Sequence, residues 1–219
     1  MQLFAVHNSR EGEHFFITDG LQKTPVFLQI GSFYPKVIQA VYETFTPARI
    51  IIYEPTPITF RRLTKAHEEL PFTLHNKAVI GNKTGSIPFH YYLARPQMSA
   101  AHPDLLAPGD LVRMKDWGDM PCFVPCISLE GVFKENALTY VDVLLMDCEG
   151  AEFDILDELM QKPHLKIGQI NLEVHLGTPM QRERWKEVYE RLKASYTLEQ
   201  DLYLHEMDET PLFLFRRKA

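Results

Sequence analysis

Asp147, Cys148 and Glu149 follow directly on Val141–Met146, a run that is apolar but for Asp142. Six such residues are too few for a helix. An apolar stretch without alternation is expected for a strand covered on both faces, as in parallel sheets flanked by helices. A switch to two carboxylates at its carboxyl end puts acid groups at the sheet edge where open α/β proteins take their ligands. The competing reading is that Asp147 and Glu149 cap the helix that follows. Two acids on either side of a cysteine are not both placed to cap, which favours chemistry.

Three other strand ends carry polar residues in the same way: Gly31-Ser32 after Val26–Ile30, Glu54-Pro55 after Arg49–Tyr53, and Glu173 and His175 after the run from Ile167 to Val174. A glycine turn after one strand and an acid about 20 residues later, after the next, is how such folds hold an adenosine, with the carboxylate on the ribose hydroxyls. Gly31 and Glu54 fill these two positions. A plain helix-start acid is the other reading of Glu54.

The elements that position these residues alternate. Met1 to Thr24 reads as two strands around a turn, a hairpin extension ahead of the main body. Val37, Ile38, Val41, Tyr42 and Phe45 recur at helical spacing behind Pro35, and Thr56-Pro57 starts a second helix as N-cap and first residue. Phe72 to Ile80 and Ser86 to Leu93 read as strands, as does Phe123 to Leu129, with a short helix from Glu130 to Asn136. A helix runs from Phe153 to Met160, and Thr178-Pro179-Met180-Gln181 is a capping-box start. Tyr196 to His205 and Pro211 to Arg216 close the chain as an antiparallel pair. Nothing marks a linker, so one domain over residues 1–219 is expected: a mostly parallel sheet with helices on both faces and an antiparallel C-terminal hairpin.

Composition narrows the partners. The chain has 219 residues, is 45% hydrophobic and 24% charged, and carries a formal net charge of -6. That charge argues against a nucleic-acid backbone as partner. No run approaches the length of a membrane span and no signal-peptide core is seen at the start. Cys122, Cys126 and Cys148 make an odd number without disulfide-framework spacing, which points to reduced thiols and a cytoplasmic setting. The stretch 94–120, rich in Pro, Gly, Asp and Met, is a candidate substrate lid, and its His102 and Trp117 suit a sugar or polyol; a surface loop is the plainer reading.

Taken in order, IIYEPTPITFRRL, HNKAVIGNKTGSIPF, CISLEGVF, VDVLLMDCEGAEFDIL and INLEVH resemble the FkbM family of S-adenosylmethionine-dependent methyltransferases. The D-x-E-G-A-E segment, Asp147 to Glu152, is the most specific piece, followed by Glu54-Pro55. The resemblance implies a class I methyltransferase, Rossmann-like sheet of seven strands with the last one antiparallel, S-adenosylmethionine as cofactor, and methyl transfer to a hydroxyl of a sugar or natural-product-like small molecule. It places Gly31, Ser32, Glu54, Pro55, Lys77, Ala78 and Asp147 at the cofactor, Lys77 and Ala78 beside the adenine. Asp147 is then the base or orienter, with Glu149 and His175 as catalytic neighbours and Glu173 toward the substrate. Asp147, Glu173 and His175 also make an oxygen and nitrogen set for a divalent cation that would lower the pKa of an alcohol.

The chain departs from the family at Gln29, where an acid is usual, at Pro35, where a second glycine is usual, and at Leu145, where a lysine is usual. A scaffold that has lost its cofactor and serves as a partner subunit is therefore the second reading. A dinucleotide oxidoreductase is disfavoured, because no G-x-G-x-x-G follows the first strand.

Overall fold

The computed structural model describes residues 3–8, 12–31, 35–45, 48–94, 99–101, 116, 118–202 and 211–218, with side chains at all of these except 3–8, 12–15, 35–37 and 202. In chain order the strands are β1 (Leu3–Asn8), β2 (Gly12–Ile17), β3 (Val26–Ile30), β4 (Arg49–Tyr53), β5 (Thr73–His75), β6 (Ala78–Val79), β7 (Gly85–Tyr92), β8 (Asp119–Ile127), β9 (Val141–Met146), β10 (Ile167–Glu173), β11 (Tyr196–Leu202) and β12 (Leu212–Arg217). The helices are α1 (Pro35–Thr44), α2 (Pro57–Ala66), α3 (Leu129–Glu135), α4 (Glu152–Gln161) and α5 (Pro179–Ser195).

Seven strands form the central sheet in the order β11-β12-β10-β9-β3-β4-β5. β5, β4, β3, β9 and β10 run parallel, and β12 is antiparallel to both β10 and β11. Connections after β3 run outward one way through β4 to β5, and those after β9 run the other way through β10. The direction therefore switches between β3 and β9, where open α/β sheets leave a crevice.

Alternate residues along the strands separate two cores. Leu28, Ile51, Leu144, Ile170 and Phe215 face α3, α4 and α5, whose Phe133, Phe153, Leu156, Trp185 and Leu192 close over them. Phe27, Ile50, Ile52, Val143, Leu145 and Leu214 face the other way, under Ile38 and Val41 of α1, Leu63 of α2, and Phe16 and Ile17 of β2. Helix α5 starts with the expected capping box: Thr178 accepts from the Gln181 amide and Gln181 accepts from the Thr178 amide.

One expectation needs correcting. Phe72 to Ile80 is not one strand. β5 belongs to the central sheet, while β6 joins β7 and β8 in a separate three-stranded sheet. Between them the Asn76 side-chain amide donates to the carbonyls of Glu54 and Pro55, and this turns the chain out of line. The strands read from Ser86 and from Phe123 accordingly lie outside the central sheet, paired antiparallel with each other as β7 and β8. Thr56 is extended, as an N-cap should be, but its side chain makes no cap bond; the Glu54 carboxylate instead accepts from the Thr56 amide at 2.7 Å.

Two polar residues of the strands around the site are buried. Asp142 is buried in β9 and accepts from the amides of Gln22 and Val26 at 3.0 and 2.8 Å. Gln169, buried in β10, both accepts from and donates to the backbone of Ile17 at 2.7 Å. These side chains fasten the segment from β2 to β3 across the sheet, satisfying backbone groups that would otherwise be stranded.

His67, just past α2, is 3% exposed, lies against Phe72, and neither ring nitrogen finds a hydrogen-bond partner among the described residues. Burial holds its pKa below the ordinary histidine value. The unfolded chain then binds the proton at a higher pH than the folded one. Its contribution is full above about pH 6.5 and is lost as the pH falls toward the folded value. Between about pH 7.5 and 5.5 this loss acts against the opposite contribution of groups with raised pKa values, such as His175. Urea unfolding of His67→Leu should therefore show stability that falls less, or rises more, on acidification than in the natural chain, with about 1 kcal/mol added at neutral pH. An unchanged slope in the variant would refute this. Among the described residues no helix is long and apolar enough to cross a membrane.

Candidate active site at the carboxyl edge of the sheet

The strand ends meet as the register requires. Ile30 of β3 lies opposite Met146 of β9 and Tyr53 of β4, so Gly31, Glu54 and Asp147 come out side by side. The Gly31 amide donates to the Tyr53 carbonyl at 3.0 Å, the Asp147 amide to the Ile30 carbonyl at 3.1 Å, and the Glu54 amide to the His75 carbonyl at 3.0 Å. Gly31 has φ +76, and a Cβ there would lie 1.7 Å from the Asp147 carbonyl oxygen. The glycine is thus demanded by the approach of β9 itself, whatever occupies the crevice.

Beyond β9 the backbone reverses through Glu149 at φ 51 and Gly150 at φ 96. A left-handed glutamate is uncommon and costs roughly 1 kcal/mol. The turn carries the Glu149 carboxylate back over His175, which lies two residues beyond β10. His175 Nε2 lies 3.3 Å from Glu149 Oε2 and 3.9 Å from Asp147 Oδ1. The structure therefore brings together Asp147, Glu149 and His175. Their ligand-type atoms all lie within 4.8 Å of one another, the only such group among the described residues. Glu173 is not part of it, so the cation set expected from sequence changes one member. Burial, reinforced by the nearby Asp147, pushes the Glu173 carboxyl well above the usual carboxylate range. That shift counts against it as a ligand.

Sequence reasoning overlooked the residue that holds the site, Glu152. Placed in the first turn of α4 it reads as an ordinary helix-start acid, yet it is fully buried. One oxygen accepts from the His175 amide at 2.8 Å and faces His175 Nδ1 at 3.1 Å. The other accepts from the Gly150 amide at 2.8 Å and lies 3.7 Å from the Cys148 thiol. A donating Nδ1–H on Glu152 is the tautomer this arrangement favours, and it presents Nε2 to Asp147 and Glu149. Burial pushes Glu152 upward, but the charge and hydrogen bonds of His175 prevail and hold it below the usual range. For His175 burial opposes protonation, and the carboxylates of Glu149, Glu152 and Asp147 overcome it, holding the imidazole well above its ordinary pKa. The Cys148 thiol is raised well above its usual value by burial and then by these carboxylates. It is an unreactive wall of the site.

The other expected residues divide. Glu54, 6% exposed, keeps its carboxylate at the β4 end beside Gly31, with Pro55 next to it. Lys77 pairs with Glu135 of α3, which also accepts from the Tyr53 hydroxyl at 2.7 Å; Ala78 is buried in β6. Ser32, His102 and Trp117 lie outside the described residues.

A carboxylate at the end of β4, a glycine turn at the switch point and an acid at the end of β9 lie together on this edge, and the sheet order is that of class I methyltransferases. Two solved structures share the fold. The Methanococcus jannaschii fibrillarin pre-rRNA processing protein aligns over 99% of this chain and 83% of its own at 12% identity and TM-score 0.52. A fibrillarin/Nop5p complex aligns over 90% and 75% at 11% identity and TM-score 0.51. A putative rRNA-methylase from Clostridium thermocellum aligns over 90% of both chains at 10% identity and TM-score 0.47. A search of curated proteins finds no match. The fold is that of class I S-adenosylmethionine-dependent methyltransferases. Residues 29–208 match the Methyltransferase FkbM domain, and the chain belongs to that family.

Proposed function

We propose that the protein is an O-methyltransferase whose acceptor is a hydroxyl of a sugar or natural-product-like small molecule. The observation that carries this reading is the convergence of Asp147, Glu149 and His175 beside the β3–β9 switch point. An alcohol has a pKa far above neutral and needs a positioned acceptor for its proton as the oxygen attacks. S-adenosylmethionine supplies an electrophilic methyl group on a sulfonium, and the residues fit it: Glu54 for the ribose hydroxyls, Pro55 and Ala78 along the nucleoside, and carboxylates near the cation. Asp147, whose side chain is 44% exposed, is open to the acceptor and takes its proton. His175, fixed by Glu152 and held above its ordinary pKa by the surrounding carboxylates, lies 3.9 Å from the Asp147 carboxylate. Glu173, whose carboxyl pKa burial pushes upward, lines the acceptor side. The free thiols of Cys122, Cys126 and Cys148 suit a reducing, cytoplasmic setting, and the net charge of -6 suits a small acceptor rather than a nucleic acid.

Titration calorimetry with S-adenosylhomocysteine tests the cofactor half of this reading. Saturable binding is expected, weakened roughly 10- to 100-fold in Glu54→Gln, since hydrogen bonds to a charged group contribute about 1.5–3 kcal/mol. No binding to the natural chain would favour the scaffold reading, for which Gln29 and Pro35 in place of the usual acid and glycine already speak.

A further inference from the structure

We propose that Asp147 Oδ1, Glu149 Oε2 and His175 Nε2 form a binding site for one divalent cation of the Mn2+ class. The argument starts from the histidine. His175 is 8% exposed and held twice by Glu152, through its amide at 2.8 Å and its Nδ1 at 3.1 Å. A histidine that gives one ring nitrogen to a buried carboxylate and turns the other toward further donors is the arrangement in which proteins present imidazole to a metal. Here Nε2 faces Glu149 Oε2 at 3.3 Å and Asp147 Oδ1 at 3.9 Å.

Those separations fit a shared ion. Two ligands about 2.1 Å from an octahedral ion lie about 3 Å apart when adjacent and somewhat over 4 Å when opposite. All three donor atoms here fall within 4.8 Å of one another, so side-chain rotations alone close them onto one point. The ion takes the position of the Nε2 proton, which leaves to solvent.

The donor set selects the ion class. Two carboxylate oxygens suit Mg2+, Ca2+ and Mn2+, while imidazole suits the first-row transition metals, and Mn2+ accepts both. Three protein donors on one side of an octahedral ion leave three positions open. The open side is that of Asp147, the most exposed of the three, because Glu149 and His175 are 12% and 10% exposed at their side chains. A neutral oxygen donor can therefore reach the ion from solvent. On the methyltransferase reading, that donor is the acceptor hydroxyl. Its O–H proton would pass to Asp147 Oδ2, the proton acceptor on that reading, as the hydroxyl oxygen attacks the methyl carbon. The S–C bond then breaks with its electron pair staying on sulfur.

The test is electron paramagnetic resonance and calorimetric titration of untagged, full-length protein with MnCl2 alone. One Mn2+ per chain is expected to bind saturably. His175→Gln and Glu149→Gly should each weaken binding at least tenfold, and Glu183→Ala on the far surface of α5 should leave it unchanged. Glu149→Gly also relieves the left-handed backbone, so a folded, equally or more heat-stable variant that has lost Mn2+ separates a ligand from a structural residue. Absence of saturable binding, or binding unaffected by both substitutions, overturns the proposal. S-adenosylhomocysteine titration of the same samples separates the two ideas. Binding of the nucleoside without Mn2+ leaves the methyltransferase reading standing alone, and Mn2+ without the nucleoside does the reverse.

Discussion

Gly31→Ala should destabilise the protein by about 4 kcal/mol or more, a loss at the extreme of what single substitutions produce. Two penalties act together. The residue has φ +76, and an L-residue with a side chain there costs roughly 1–2 kcal/mol. The added Cβ would also lie 1.7 Å from the Asp147 carbonyl oxygen and 2.8 Å from its carbon, both backbone atoms of the adjoining strand end. Relief requires β3 and β9 to part at their carboxyl ends, which breaks the Asp147-to-Ile30 hydrogen bond at the centre of the sheet. Gly20 isolates the two contributions. It has φ +89, and a Cβ added there would meet nothing within 4 Å, so Gly20→Ala should show only the backbone cost. Urea unfolding of both variants checks this: midpoints should fall several-fold further for Gly31→Ala, with similar slopes. Equal losses would mean that the contact with Asp147 is soft.

Asp147→Asn should lower kcat by 10²–10⁴, the usual contribution of a positioned proton acceptor, while S-adenosylhomocysteine affinity changes less than about threefold. The substitution is nearly isosteric and the side chain is 44% exposed, so the fold has little reason to change. Methyl transfer to a panel of sugars and small alcohols, followed by mass spectrometry, supplies the rate. A variant with full kcat would remove Asp147 from proton transfer. One that lost nucleoside binding as well would make it a binding residue instead. Its carboxylate also raises Glu173, so in the variant Glu173 should titrate closer to an ordinary glutamate.

The parts of this molecule that were legible in the sequence are those with a local signature. β9 is buried along its whole length, and the acids after it do lie at the crevice, because a strand covered on both faces must be followed by a polarity switch. The capping box at Thr178 and the terminal antiparallel pair are equally local. What escaped depends on partners far along the chain. Asp142 and Gln169 are polar residues inside otherwise largely apolar strands, and only the backbone of residues 17–26 explains their burial. Asn76 divides a stretch that reads as one strand, since its partners are the carbonyls of Glu54 and Pro55. Glu152 and Glu158 look like ordinary acids of an amphipathic helix. Glu158 nevertheless is fully buried and accepts from the amides of Asn82, Leu129 and Glu130, joining the second sheet and α3 to α4. In the candidate site the sequence pointed to Asp147, Glu149 and His175. It did not distinguish Glu149 from Glu173 as the third partner, because that choice rests on one left-handed residue.

Glu152 ties together the ends of two strands through one side chain. A single carboxylate grips the main chain of one strand's extension, the ring at its tip, and the turn leaving the neighbouring strand. Imidazole and backbone thus share an anchor, and neither can shift without the other. A ligand that tugs on the His175 ring also loads the first turn of α4. Through Glu158, two turns along, the same helix carries that load to α3 and the outlying sheet. The crevice and the periphery of this protein are two ends of one lever.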